Sequence, residues 1–148
     1  MVESPRRKIQ AVLFACAMNA IRSPMAEAIA RHYFGQSHFI QSAGIRKGEI
    51  DGFTIAVLSE IGIDARAHKP HTLEELAEWE GLNFDLIVTL SPEAHHVALE
   101  FTRTLAVEVE YWPTLDPSLT EGNREERLEA YRTVRDRLME QIIARLKS

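Results

Sequence analysis

One stretch of this chain spaces a nucleophile and a fixed cation so that they can act together: Cys16-Ala17-Met18-Asn19-Ala20-Ile21-Arg22-Ser23. Five residues between thiol and guanidinium let the backbone curl through a semicircle, turning its N–H groups inward toward one tetrahedral dianion. A helix that starts after Ser23 aims its positive end at the same point. Arg22 adds a planar fork of donors that matches phosphate oxygens two at a time. The same positive field favours the thiolate of Cys16, the form that attacks. The expected anion contacts are thus Ala17, Met18, Asn19, Ala20, Ile21, Arg22 and Ser23, with Cys16 as nucleophile. A lone cysteine after an apolar run also reads as a small buried hydrophobe. The strand entering the loop and the helix leaving it favour the working thiol. The glycine-rich phosphate loop G-x-x-x-x-G-K-[ST] does not occur.

A second candidate is Asp116. Displacement at phosphorus expels a poor oxyanion unless a proton reaches it, and a carboxyl on a loop at a strand end can deliver one. An Asp-Pro turn is the other reading of Asp116-Pro117.

These residues need elements to hold them, and the hydrophobic pattern supplies a series. Residues 9–15 (IQAVLFA) read as a buried strand, and residues 24–34 as a helix with Ser23 as cap and Pro24 at its first position. A short strand covers 39–42, a helix 52–61 ends at Gly62, and a short capped helix covers 72–79. Residues 84–90 (FDLIVTL) form a further strand, 91–101 a helix capped by Ser91, and 107–111 the last strand. A polar loop over 113–123 leads to a long helix from Arg124 to Leu146, with Leu128, Tyr131, Val134, Leu138, Ile142 and Leu146 at helical spacing. Short apolar runs alternating with helices predict one doubly wound α/β domain over 1–148, with about four parallel strands and helices on both faces. The reactive loop then sits at the carboxyl end of the first strand, where such sheets bind ligands.

Bulk composition narrows the function. A formal net charge of −5 and only the short basic run Arg6-Arg7-Lys8 give no nucleic-acid surface. The apolar stretch around Cys16 is broken by Asn19 and Arg22, which excludes a leader or membrane span there. The one cysteine allows no disulfide within the chain and no cysteine-based zinc site, and a cytoplasmic protein is expected. His95 and His96 are adjacent on a helix and cannot share a face, so no metal is expected, and no cofactor. His68 and His71, around Lys69-Pro70, read as structural. The charged stretch 121–137 reads as a solvated helix face.

Strand, C-x5-R-S loop and the helix start PMAEA resemble the low-molecular-weight protein tyrosine phosphatase family, including its arsenate-reductase branch. Ser42-Ala43-Gly44, Gly62-Ile63-Asp64 followed by His68, and Asp116-Pro117 match in order, so the resemblance covers nearly the whole chain. It implies a phosphomonoester hydrolase, with phosphorylated protein, phosphotyrosine above all, or a small phosphomonoester as substrate. Cys16 matches the nucleophile that forms a cysteinyl-phosphate, Arg22 the phosphate-binding arginine, and Asp116 the acid that protonates the leaving oxygen. Asn19 and Ser42 match a pair that holds the loop in shape, with positive φ at Asn19. Ser23 matches a hydroxyl that steadies the thiolate.

The chain departs from the family pattern at several places. Met18 replaces a usual glycine, and where φ is positive a methionine there costs about 1–2 kcal/mol. Ile21 replaces a frequent second cysteine, and Ala20 the threonine that marks phosphoarginine phosphatases. Ser118-Leu119 stand where tyrosines are common, and Trp112 is left either to line the pocket wall or to pack in the core. The reductase branch's two further cysteines are absent, so arsenate reduction would need an external low-molecular-weight thiol. A non-catalytic oxyanion-binding module is the remaining alternative, favoured by Met18 and opposed by the retained Asp116.

Overall fold

The computed structural model describes residues 8–147. Arg6 and Arg7 of the short basic run lie outside the described residues. Four strands, β1 (Ala11–Cys16), β2 (Phe39–Gly44), β3 (Leu86–Thr89) and β4 (Glu108–Tyr111), form one parallel sheet in the order β2-β1-β3-β4. The helices between them are α1 (Arg22–Phe34), α2 (Gly52–Ser59), α3 (Leu73–Trp79) and α4 (Pro92–Phe101), and α5 (Arg124–Leu146) closes the chain. The expected α/β architecture is the one observed. No helix among the described residues is long and apolar enough to cross a membrane.

Because successive strand residues face opposite sides, β1 feeds two cores at once. Val12, Phe14 and Cys16 enter one core with residues of α1, α2 and α5. Leu13 and Ala15 enter the other with residues of α3 and α4. A strand buried on both faces must read as a continuous apolar run, and AVLFAC does. From β1 the chain turns first to β2 on one side and later to β3 on the other, so the end of β1 is the point where strand order reverses. Cys16 is the last residue of that strand.

The long helix and the Ser91–Pro92 helix start lie where the pattern put them. Asn123 caps α5 in a reciprocal box with Glu126, and Thr72 caps α3 in one with Glu75. Four expectations change. β1 runs one residue further, through Cys16 itself. Ser23 is not the cap of α1: the helix begins at Arg22 after Ile21, which offers no side-chain cap, because the Ser23 hydroxyl is engaged elsewhere. The polar loop before α5 contains a short 3-10 turn, Pro117–Leu119, with Asp116 as its cap. Nor is 121–137 wholly solvated. Arg135 is buried, donating to the Val57 carbonyl and to Glu60 at 2.8 Å each, which ties α5 to α2.

Helix α5 packs across α1 and α2, and Leu138 is fully buried in that seam. Leu138→Ala is expected to lower unfolding free energy by about 2–5 kcal/mol through lost burial and the cavity left behind. Urea denaturation with an unchanged m-value checks it.

Candidate active site

The loop between β1 and α1 is shaped by where its carbonyls go. Cys16 O accepts from Ile45 N, Ala17 O from Ile45 N and Arg46 N, Met18 O from Gly48 N, and Ala20 O from Asp51 N, all at 2.9–3.2 Å. Every one of these bonds goes to the segment 45–51. In a trans peptide the N–H lies opposite its carbonyl. With the carbonyls of Cys16, Ala17, Met18 and Ala20 turned outward, the N–H groups of Ala17, Met18, Asn19 and Ile21 face the other side, toward the concave interior. The N-terminus of α1 opens onto the same region.

Curling this tightly requires one residue with positive φ, and it is Asn19, at 52°. Met18 is not in that region, so the strain considered for it does not arise. Met18 instead extends outward, 41 % exposed, near Gly48. Gly44 is needed for a different reason: a Cβ there would meet Arg46 O at 2.3 Å and Asn19 N at 2.6 Å. The loop and segment 45–51 approach too closely for any side chain.

The buried Asn19 amide is the hub of the site, and its orientation can be deduced. The His71 backbone N–H can only donate, and it meets Asn19 Oδ1 at 2.9 Å. The Nδ2 end therefore donates to Ser23 Oγ at 2.8 Å and to Ser42 Oγ at 2.9 Å. Ser42 passes its own proton to Glu27 Oε1. His68 Nε2, 3.2 Å from Asn19 Oδ1, must carry the ring proton. Glu27 is buried yet matched, by Arg31 at 2.9 Å and by Ser42.

This polarity leaves one hydroxyl proton free to choose its acceptor. Ser23 Oγ lies 2.9 Å from Cys16 Sγ and 3.4 Å from Ala43 O. Facing a thiolate it donates to sulfur, where the Ser23 N–H also points from 3.4 Å. Facing a thiol it accepts the S–H and turns its proton to Ala43. The hydroxyl can thus follow the charge on sulfur without any heavy atom moving. Cys16 itself is 2 % exposed, at the floor of the loop.

Arg22 sits in the first turn of α1, and its Nη1 donates to Thr114 O at 3.0 Å. Thr114 lies two residues before Asp116, so the guanidinium ties the reactive loop to the loop carrying the carboxylate. Asp116 Oδ1 accepts from Ser118 N at 3.0 Å and Ser118 Oγ at 2.6 Å, which fixes one oxygen and leaves the other for a different partner. Trp112 packs edge-on against Phe14, with centroids 6.2 Å apart, on the flank of the core holding Cys16.

The structure therefore gathers Cys16, Arg22, Ser23, Asn19 and Ser42 at one end of the sheet and links the Asp116 loop to them. Sequence reasoning missed Glu27, His71 and Thr114. A glutamate inside the apolar helix run PMAEAIA was a signal for the first. The other two act through backbone atoms, which no residue type reveals.

Residues 11–148 match the family model described as low molecular weight phosphotyrosine protein phosphatase. An arsenate reductase of Halalkalibacterium halodurans is 32 % identical over 132 residues, covering 88 % of this chain and 91 % of that protein. Among solved structures, a tyrosine phosphatase of Erwinia amylovora superposes with a TM-score of 0.78 at 17 % identity, over the full length of both chains. A low molecular weight protein tyrosine phosphatase from T. tengcongensis superposes with a TM-score of 0.72 at 25 % identity, covering 90 % of this chain and 95 % of that one.

Two outcomes test the hub. Asn19→Gly and Asn19→Ala both strand buried serine and backbone groups, and each should lower stability by at least ~2 kcal/mol. The alanine variant should be the worse by about 1 kcal/mol, because alanine resists the positive φ that glycine adopts freely. Equal losses in denaturant titration would show that the backbone relaxes away from that conformation. The second concerns His68, whose imidazole is held below its ordinary value of 6.5 chiefly by burial, offset in part by the Glu27 carboxylate. A depressed imidazole stabilises the fold above the unfolded value, and that stability is lost as pH falls below about 6.5 and through the lower folded value. His68→Gln offers Asn19 a donor that does not titrate, so its thermal midpoint should fall less steeply with acid than the wild type's.

Proposed function

The chain belongs to the low molecular weight phosphotyrosine protein phosphatase family, and from that premise we propose that it hydrolyses phosphomonoesters through a cysteinyl-phosphate intermediate at Cys16. The observation that carries this reading is the outward set of loop carbonyls, which leaves converging N–H groups around the sulfur for three phosphoryl oxygens. Arg22 adds charge-assisted donors to the same oxygens. Cys16 sulfur attacks phosphorus in line, and the phosphorus–oxygen bond to the leaving group breaks. Asp116 gives that oxygen its proton, then takes one from the water that attacks the phosphocysteine. Ser23 follows the charge on sulfur, donating to it before attack and again as it departs. Asn19 and Ser42 keep the amides aimed. At 2 % exposure Cys16 meets only groups that fit inside the loop, and a tetrahedral oxyanion is that small.

Phosphorylated protein, phosphotyrosine in particular, is the proposed substrate class, with small aryl phosphates as surrogates. The single cysteine supports hydrolysis over reduction. Reducing arsenate to arsenite takes two electrons, and one thiol paired with nothing in the chain cannot supply them alone. The second reading, favoured by the 32 % identity to an arsenate reductase, is arsenate reduction in which an external low-molecular-weight thiol attacks the Cys16–arsenic adduct. The thiol sulfur bonds to the Cys16 sulfur as the sulfur–arsenic bond breaks with its electron pair going to arsenic, arsenite departs, and a second thiol displaces Cys16 from the mixed disulfide.

Turnover of an aryl phosphate, followed beside arsenate-dependent consumption of glutathione, tests both readings. Cys16→Ser is expected to abolish phosphate release, and Asp116→Asn to lower kcat by about 10²–10⁴-fold. Full activity in Cys16→Ser would overturn the mechanism, and thiol consumption without phosphate release would select the reductase.

A further inference from the structure

A cavity of about 570 Å³ lies beside the edge strand β2, walled by α1 and by the segment 62–71. Ligand sites commonly span roughly 300–1,000 Å³. It is separate from the loop that holds Cys16: neither Cys16 nor Arg22 lines it. The Gly62-Ile63-Asp64 turn, a motif without a part in the chemistry above, forms one of its walls, with φ of 81° at Gly62.

The lining has a charge imbalance. Its two carboxylates are already matched, Glu27 by Arg31 at 2.9 Å and Asp64 by Arg66 at 2.8 Å. Lys69 is exposed and takes part in no ion pair among the described residues. The imidazoles of His32 and His71 add further ring nitrogens around the cavity, while His68 spends its N–H on Asn19. The remaining wall is apolar, from Pro24, Ala28, Ile63 and Ala65. A surplus ammonium, ring N–H groups and an apolar wall suit an anion carried on an apolar body.

The cavity also shares walls with the Asn19 hub. Glu27 and His68 line it, and the same two side chains hold Ser42 and Asn19. From His68, two hydrogen bonds through the Asn19 amide reach Ser23 Oγ, and a third reaches Cys16 Sγ.

We propose that this cavity is a second ligand site that takes a small organic anion and transmits its occupancy to the Cys16 loop through His68 and Asn19. The anion pairs with Lys69 while its apolar body rests on Ala28 and Ile63. Negative charge placed beside His68 alters the bond that His68 makes to Asn19.

Titration of the full chain with benzoate, read in two-dimensional amide NMR spectra, tests the proposal without reference to turnover, so its outcome stands apart from that of the phosphatase reading. Benzamide serves as the neutral control and inorganic phosphate as the bare anion. Benzoate is expected to shift the amides of Ala28, Ile63, Ala65 and Lys69 saturably, together with the Asn19 side-chain NH₂ pair. Phosphate should centre its shifts on residues 16–23 and their hydrogen-bonded partners, sparing Ala28 and Ile63. Benzamide binding, and benzoate binding to Lys69→Glu, should each be weaker by roughly tenfold, equivalent to ~1.4 kcal/mol of lost attraction. Shifts confined to residues 16–23, or equal affinity for benzamide, would overturn the site. So would a folded Lys69→Glu variant that binds benzoate as the wild type does. Saturation that leaves the Asn19 pair unmoved would overturn the transmission.

Discussion

The reactive end of this protein depends on a set of peptide planes held with their carbonyls facing away from the centre. Amide donors aimed at an empty space repel one another, and a short loop left to itself would collapse onto its own hydrogen bonds. Here the segment 45–51 supplies the missing partners, donating to the loop carbonyls so that the loop N–H face stays available. The close approach this demands is why residue 44 has no room for a Cβ. A preorganised ring of donors costs nothing to reorient when charge arrives, which is where such sites gain most over water.

Asn19 joins that backbone requirement to the side chains around it. One residue must take positive φ for the loop to close, and asparagine tolerates it while contributing both ends of an amide. Its oxygen is fixed by the His71 N–H, so its nitrogen is committed to Ser23 and Ser42. Buried polar networks are worth having only when every member is satisfied. This one ends on a matched carboxylate at Glu27 and on the sulfur at Cys16. The Ser23 hydroxyl, freed from any capping duty, is an adjustable element within it.

Arg22 then connects two pieces of chain far apart in sequence. Its bond to Thr114 O sets the reach of the Asp116 loop relative to the sulfur. A proton donor on a loop is useful only if its distance to the leaving oxygen is defined, and under the proposed function the arginine that would bind phosphate also anchors the Asp116 loop. Around this arrangement the chain is spare: one thiol, no second cysteine, and exposed aliphatic residues at Leu115 and Leu119 beside the acid.

Much of this was legible in one dimension. Short apolar runs and period-3.6 patterns located every strand and major helix, because burial on one or two faces leaves a mark on residue order. Cys16, Arg22 and Asn19 stood within eight consecutive residues, so local geometry alone could relate them. Ser23 was read two ways at that level: as a cap, which the structure corrects, and by resemblance as a hydroxyl beside the thiolate, and it does lie 2.9 Å from the Cys16 sulfur, with an asparagine amide as its other partner. Glu27, His68, His71 and Thr114 reach the site across long sequence separations, two of them through backbone atoms that carry no sequence signature. The order of residues by itself determined the elements and the reactive octet, since both rest on near-neighbour spacing. Which way the loop amides face, and which distant groups hold them so, was decided only when the sheet brought the ends of β1 and β2 side by side.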